Sequence, residues 1–158
     1  MIMRVQRILI VAFASVAVVG CGPRPAFSDA VQLNPSGWVA ADTAVMRFHV
    51  EHPDHRHDLQ IGLRHGEDYP FSNLFLFVKL EYPNGKTLLD TLECPLGATD
   101  GRWYGQGRGW IDHRVGYKKA VAFPIQGEYT LKVVHAMRLD PLPGVAELRF
   151  SLLDLTAP

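Results

Sequence analysis

Leu63-Arg64-His65-Gly66-Glu67-Asp68-Tyr69-Pro70-Phe71-Ser72-Asn73-Leu74-Phe75-Leu76-Phe77 reads as the end of one strand, a polar turn and the start of another. Gly, Pro, Ser and Asn in the middle are the residues of a connection. Leu74 to Val78 is apolar at every position. A continuous apolar run is covered on both faces, whereas a half-wet strand alternates. The stretch is therefore expected to form the central hairpin of a sheet. A turn that only connects needs neither Tyr69 nor Phe71, so one of these rings is expected to fold inward. Were both exposed, Tyr69 and Phe71 would become a partner-binding surface.

Outward from this stretch, apolar residues recur with a period of two. Met46, Phe48 and Val50 alternate with Arg47 and His49, and Leu59, Ile61 and Leu63 with Gln60 and Gly62. Tyr129, Leu131 and Val133 form a third set, and Ala146, Leu148, Phe150 and Leu152 a fourth. Such alternation marks half-buried strands. Thr87 to Cys94 and Ala120 to Ile125 are weaker strands, and Phe27 to Leu33 is a first edge strand. Pro53-Asp54, Pro83-Asn84-Gly85, Gln126-Gly127 and Pro141-Leu142-Pro143-Gly144 punctuate the runs. Glu81 to Thr87 is the clearest hairpin turn. No capped 3.6-residue period appears. The fold expected is all-β, an antiparallel β-sandwich of roughly seven to eight strands, with an up-and-down barrel as the alternative.

The N-terminus reads differently. Arg4 and Arg7 precede an apolar stretch, Ile8 to Val19, broken only by Ser15, and Gly20-Cys21 follows. This is the pattern of a secretory signal, too short to span a bilayer. Val18-Val19-Gly20-Cys21 resembles a bacterial lipobox, with Cys21 as the lipidated first residue of the mature chain. The domains expected are a signal peptide over 1–20, a lipidated Cys and tether over 21–26, and one sandwich over 27–158. The protein is then anchored by lipid in the cell envelope, facing the periplasm. Losing Arg4 and Arg7 from 16 Lys and Arg leaves 14 against 16 Asp and Glu, a net of −2. That balance gives no footprint for nucleic acid or for anionic lipid. Of the two cysteines, only Cys94 then remains, which excludes a disulfide scaffold. Its apolar setting before Pro95 suits a buried, inert thiol.

Sites for chemistry are few. His49, His52, Asp54, His55, His57 and Asp58, with His65 nearby, form the densest group of metal-ligand residue types. They lack a recognised zinc spacing and suit a solvated connection, so no metal or other cofactor is assigned. His135 lies on the apolar face of its strand and is expected to be a core histidine with a backbone partner. Gly101-Arg102-Trp103-Tyr104-Gly105-Gln106-Gly107-Arg108-Gly109-Trp110 is glycine-rich, but no helix or βαβ setting follows, which excludes a nucleotide cradle. Its large side chains are of the kinds enriched at interface hot spots. Trp103, Tyr104, Arg108 and Trp110 are therefore the candidate partner-binding residues, with Trp103 as a cap on the core the alternative. The mature chain's serines, Ser28, Ser36, Ser72 and Ser151, lie in no nucleophile elbow. Glu67 and Asp68 are adjacent and point apart. No catalytic residue is assigned. Arg64 is expected to pair with Glu67 or Asp68, and Arg138 with Asp140.

In order along the chain, the lipobox with Cys21, Trp38, Phe48, Leu63-Arg64, Asp68-Tyr69-Pro70-Phe71-Ser72-Asn73-Leu74, Gly101-Arg102-Trp103, Gly105-Gln106-Gly107, Gly127-Glu128-Tyr129 and Ala136-Met137-Arg138 resemble the gliding-motility lipoprotein GldH family of Bacteroidota. The His-rich turn and Leu142-Pro143-Gly144 depart from that pattern. The resemblance implies a non-catalytic envelope lipoprotein needed for gliding and tied to the associated protein secretion machinery, without a cofactor. Its partners would be other gliding or secretion proteins of the envelope. The residues alone leave two further readings: a carbohydrate- or cell-wall-binding module using loop aromatics, and a metal-dependent envelope enzyme.

Overall fold

The computed structural model describes residues 25–156; the signal peptide and Cys21 expected from the sequence lie outside them. Nine strands form two antiparallel sheets. They are β1 (Phe27–Gln32), β2 (Ala44–Val50), β3 (His57–Gly66), β4 (Asn73–Glu81), β5 (Thr87–Pro95), β6 (Gln106–Arg108), β7 (Trp110–Val121), β8 (Gly127–His135) and β9 (Val145–Asp154). One sheet runs β1-β9-β3-β7-β6 and the other β2-β8-β4-β5. This is the sandwich expected, with the period-two faces turned inward. Met46, Phe48 and Val50 meet Leu59, Ile61 and Leu63 across one core, together with Leu131, Val133, Leu148 and Phe150. At roughly 25 cal/mol per Å² of apolar surface removed from water, that shared face is the main stabilising term.

The opening stretch is not a hairpin. β3 lies inside the five-stranded sheet and β4 inside the four-stranded one, so residues 67–72 carry the chain from one sheet to the other. Both strands are central, as expected, but in different layers. The reason lies in β4, which alternates instead of being covered twice. Leu74, Leu76, Val78 and Leu80 are buried, while Phe77 is 53% exposed. A strand with one inward face can pack against β3 but need not pair with it. Tyr69 does fold inward. It is 4% exposed, its ring lies 5.5 Å from His65 and 5.7 Å from Phe71, and its hydroxyl donates to the Asn73 carbonyl at 3.1 Å. Burial raises its pKa well above the usual phenol range. The ring fixes a crossover between sheets, not a hairpin.

Other expectations shift for local reasons. Glu81 to Thr87 is the hairpin turn it looked like, with Tyr82 donating to Lys86 O and Gly85 at φ 81°. Ala120 to Ile125 is mostly not strand; the strand is β7, which ends at Val121. Only Ile111 of β7 is buried, and Val115 and Tyr117 are half-buried, so its apolar alternation is faint. Arg64 pairs with Asp112 across β3 and β7, at 2.8 and 3.0 Å, and not with Glu67 or Asp68. Glu67 instead accepts from the Gly109 N–H. Asp140 accepts from the Ala40 N–H. Between the open sides of the sheets, Tyr117 donates to Asp90 at 2.6 Å and Lys118 Nζ lies 2.8 Å away, holding the Asp90 carboxyl below its usual range. Cys94 is buried, and burial pushes its thiol up to about 12, which keeps it protonated and inert.

Candidate functional site

The glycine-rich segment folds back as β6 on β7. A Cβ on Gly107, at φ 148°, would run into the Trp110 carbonyl, so this hairpin requires glycine there. Its aromatics divide. Trp103 packs against the core and meets the buried His65 edge-on at 4.6 Å. Tyr104 is 53% and Trp110 43% exposed, and Arg108 is exposed. Trp103 thus sits where a core cap would, while Tyr104, Arg108 and Trp110 reach solvent. Tyr69 is buried in the crossover, and Phe71 is half-buried.

Around Tyr104 the outer face of the five-stranded sheet forms a cleft of about 710 Å³. Arg64, Arg114 and Arg149 face Asp112 and Glu147 across its floor. Burial opposes ionisation of Glu147, but hydrogen bonds from Gln32 and Arg149 outweigh it and hold the carboxyl below its ordinary range.

The sequence reading missed a second surface. On the outer face of the four-stranded sheet, Phe77 stands beside Val134, and Phe75 lies two residues along β4 on the same side. Leu89 is 71% exposed on β5 opposite Lys79. Beyond Phe75 a groove of about 320 Å³ is lined by Phe71, Ala136, Met137 and Leu139. The missed signal was the parity of the run: with Leu74, Leu76 and Val78 inside, Phe75 and Phe77 must point out.

The His-rich run differs in burial along its length. His49, His52 and Asp54 are exposed, His55 is half-buried and His57 is buried. His65 lies at the opposite end of β3, buried, with Nδ1 2.9 Å from the Gly66 carbonyl. His135 has no backbone partner for either nitrogen; its ring meets Trp38 edge-on at 5.2 Å, and Nε2 is 3.6 Å from Asp140.

Burial lowers the His65 pKa below 6.5, partly opposed by the Gly66 carbonyl, and lowers that of His113 likewise, opposed by the Pro95 carbonyl. The unfolded chain therefore binds more protons than the folded one as pH falls through 6.5. This stabilisation is complete above that value and is lost below it. The thermal midpoint should drop between about pH 7.5 and pH 5, and His65→Gln should shallow that slope. Equal slopes in both proteins would exclude His65 as the source.

The family model described as GldH lipoprotein matches residues 26–151. A gliding motility lipoprotein GldH homolog of Christiangramia forsetii is 37% identical over 94 residues, 58% of this chain and 58% of that relative's length. Gliding motility lipoprotein GldH of Flavobacterium johnsoniae is 30% identical over 148 residues, 92% of this chain and 91% of its own. Among solved structures, a 4-O-methyl-alpha-glucuronidase with specificity for decorated arabinogalactans aligns at TM-score 0.45 and 10% identity, over 98% of this chain and 20% of that one. An arabinose-bound arabinofuranosidase aligns at 0.35 and 13%, over 85% and 23%.

Proposed function

The chain belongs to the GldH lipoprotein family, and from that premise we propose that it acts as a non-catalytic, lipid-anchored component or assembly factor of the gliding machinery and its associated protein secretion. Lipid on Cys21 would hold the sandwich at a membrane, facing the periplasm, while its surfaces bind other envelope proteins. The observation that carries this reading is the apolar outer face of the four-stranded sheet. Phe77 and Leu89, at 53% and 71% exposed, continue through Phe75 into the groove beside Met137 and Leu139. Exposed large apolar side chains gathered on one sheet face, interleaved with Lys79, Thr91 and Glu93, suit protein contact. Trp110, Tyr104 and Arg108 offer a second contact.

A photo-crosslinking side chain placed at Phe77 or Leu89 in cells should yield one discrete adduct with an envelope protein, and at Arg47 none. Phe77→Thr with Leu89→Thr should remove the complex while shifting stability by only about 1 kcal/mol, since Thr suits a strand. An intact complex in that variant would sink the sheet-face reading, and Trp110→Ala would then be the next test.

A second reading rests on Tyr104 beside the charged cleft, which suits stacking on a sugar ring above paired hydrogen-bonding groups. Cell-wall pull-down that fails equally with the parent protein and with Tyr104→Ala would remove it.

A further inference from the structure

We propose that the turn between β2 and β3 is a binding site for a divalent metal ion of the zinc type, with His52, Asp54 and His55 as ligands. The turn is built to gather them. His52-Pro53-Asp54-His55 closes with the His55 N–H donating to the His52 carbonyl at 3.1 Å, with Pro53 in the position that β-turns favour for proline. First, third and fourth residues thus emerge together. The His52 and His55 rings stack at 4.7 Å, and one donor atom from each of the three residues lies within 4.8 Å of the others. Tetrahedral zinc with ligands at about 2.0–2.1 Å needs donors roughly 3.3 Å apart, so rotations of exposed side chains close the gap.

Three further features point to a ligand. His55 Nδ1 lies 2.7 Å from Asp154 Oδ2 on β9. A carboxylate on one imidazole nitrogen fixes the ring and leaves Nε2 for a metal, which is the usual outer-shell arrangement of metal-binding histidines. The turn is strapped to the end of β9, with Leu155 N–H donating to Arg56 O and Arg56 N–H to Thr156 Oγ1, so its backbone is held in place while the side chains adjust to an ion. Finally, His57 is 4% exposed and its buried Nδ1 has no hydrogen-bond partner. It lines a cavity of about 360 Å³ together with His49, His52 and Asp154. An imidazole nitrogen buried without a partner is costly, and this ring lies beside the turn, 6.5 Å from that of His55. Imidazole-rich sites select zinc-type ions over calcium or magnesium, which prefer all-oxygen shells.

The test is zinc titration of the full chain in detergent, followed by calorimetry, thermal midpoint and metal content after desalting. About one zinc per chain should be retained and the midpoint should rise, unaffected by millimolar calcium. His52→Ala removes an exposed ligand, so the variant folds; its zinc affinity should fall at least about ten-fold with its metal-free midpoint unchanged. Asp154→Asn should weaken binding roughly 10–100-fold through His55. Absence of zinc binding, retention of full affinity in His52→Ala, or displacement of zinc by calcium would each overturn the proposal.

Discussion

Phe48→Ala should cost about 3–5 kcal/mol, the range for emptying a buried phenylalanine site. That is a large part of the roughly 5–15 kcal/mol by which a domain is stable. Phe48 is 2% exposed and joins four aromatic rings. Phe150 of β9 lies at 5.0 Å and Phe27 of β1 at 5.9 Å, both from the facing sheet. Tyr129, its register partner on β8, stacks at 5.6 Å with the planes 17° apart, and Phe123 meets it edge-on at 5.8 Å. Removing this one ring therefore opens a void between the sheets and strips several pairs each worth about 0.5–1.5 kcal/mol beyond area burial. Phe27, Phe150 and Tyr129 cannot collapse into the void, because each is fixed by its own strand. Tyr129, for example, also donates its hydroxyl to the Ile125 carbonyl at 2.8 Å. The thermal midpoint should fall by roughly 10–20 °C. Urea unfolding should show a lower midpoint with unchanged slope. A loss below about 1 kcal/mol would mean that the inter-sheet core is not centred on this cluster.

Sequence pattern reveals the inward face of a strand only where apolar and polar residues alternate. Phe48 announced itself, because it alternates with Arg47 and His49 and so had to face inward. Phe77 did not, because it sits among apolar neighbours where parity is hidden. Its outward direction follows from β4 packing in a layer apart from β3, with Leu74, Leu76 and Val78 turned inward. The crossover at residues 67–72 has the sequence of a hairpin for a related reason. Turn chemistry reports that the chain reverses, not which sheet receives it; that choice is made by long-range pairing of β3 with β7 and β9, and of β4 with β5 and β8. β7 was missed because a strand that buries little beyond Ile111 has little periodicity to show. The His turn had the opposite difficulty. His52-Pro53-Asp54-His55 is legible as a turn, but its second anchor, Asp154, lies 99 residues away.

Cys21→Ser should move the protein from the membrane pellet to the soluble fraction almost completely. Acyl chains contribute roughly 0.8 kcal/mol per buried CH₂, and one chain alone gives only reversible binding, so durable anchoring needs several on the same cysteine. Little among the described residues could replace them. No helix among the described residues is long and apolar enough to cross a membrane, and the net charge of −2 expected of the mature chain offers no attraction to anionic headgroups. A lipid on Cys21 would also set an orientation. Phe27 is six residue steps from Cys21, a reach of at most roughly 20 Å, and Phe27 pairs with Leu152 at the same end of the sandwich as His57 and Asp154. The His turn would then lie near the lipid. The tip carrying Trp110, and the Met137 and Leu139 groove, would lie the length of β3 away, about 33 Å for ten residues at ~3.3 Å each. If the serine variant still pellets after a high-salt wash, lipid is not the anchor. Adding Phe77→Thr and Leu89→Thr then identifies the cause: release in the combined variant would assign retention to a protein partner on the sheet face.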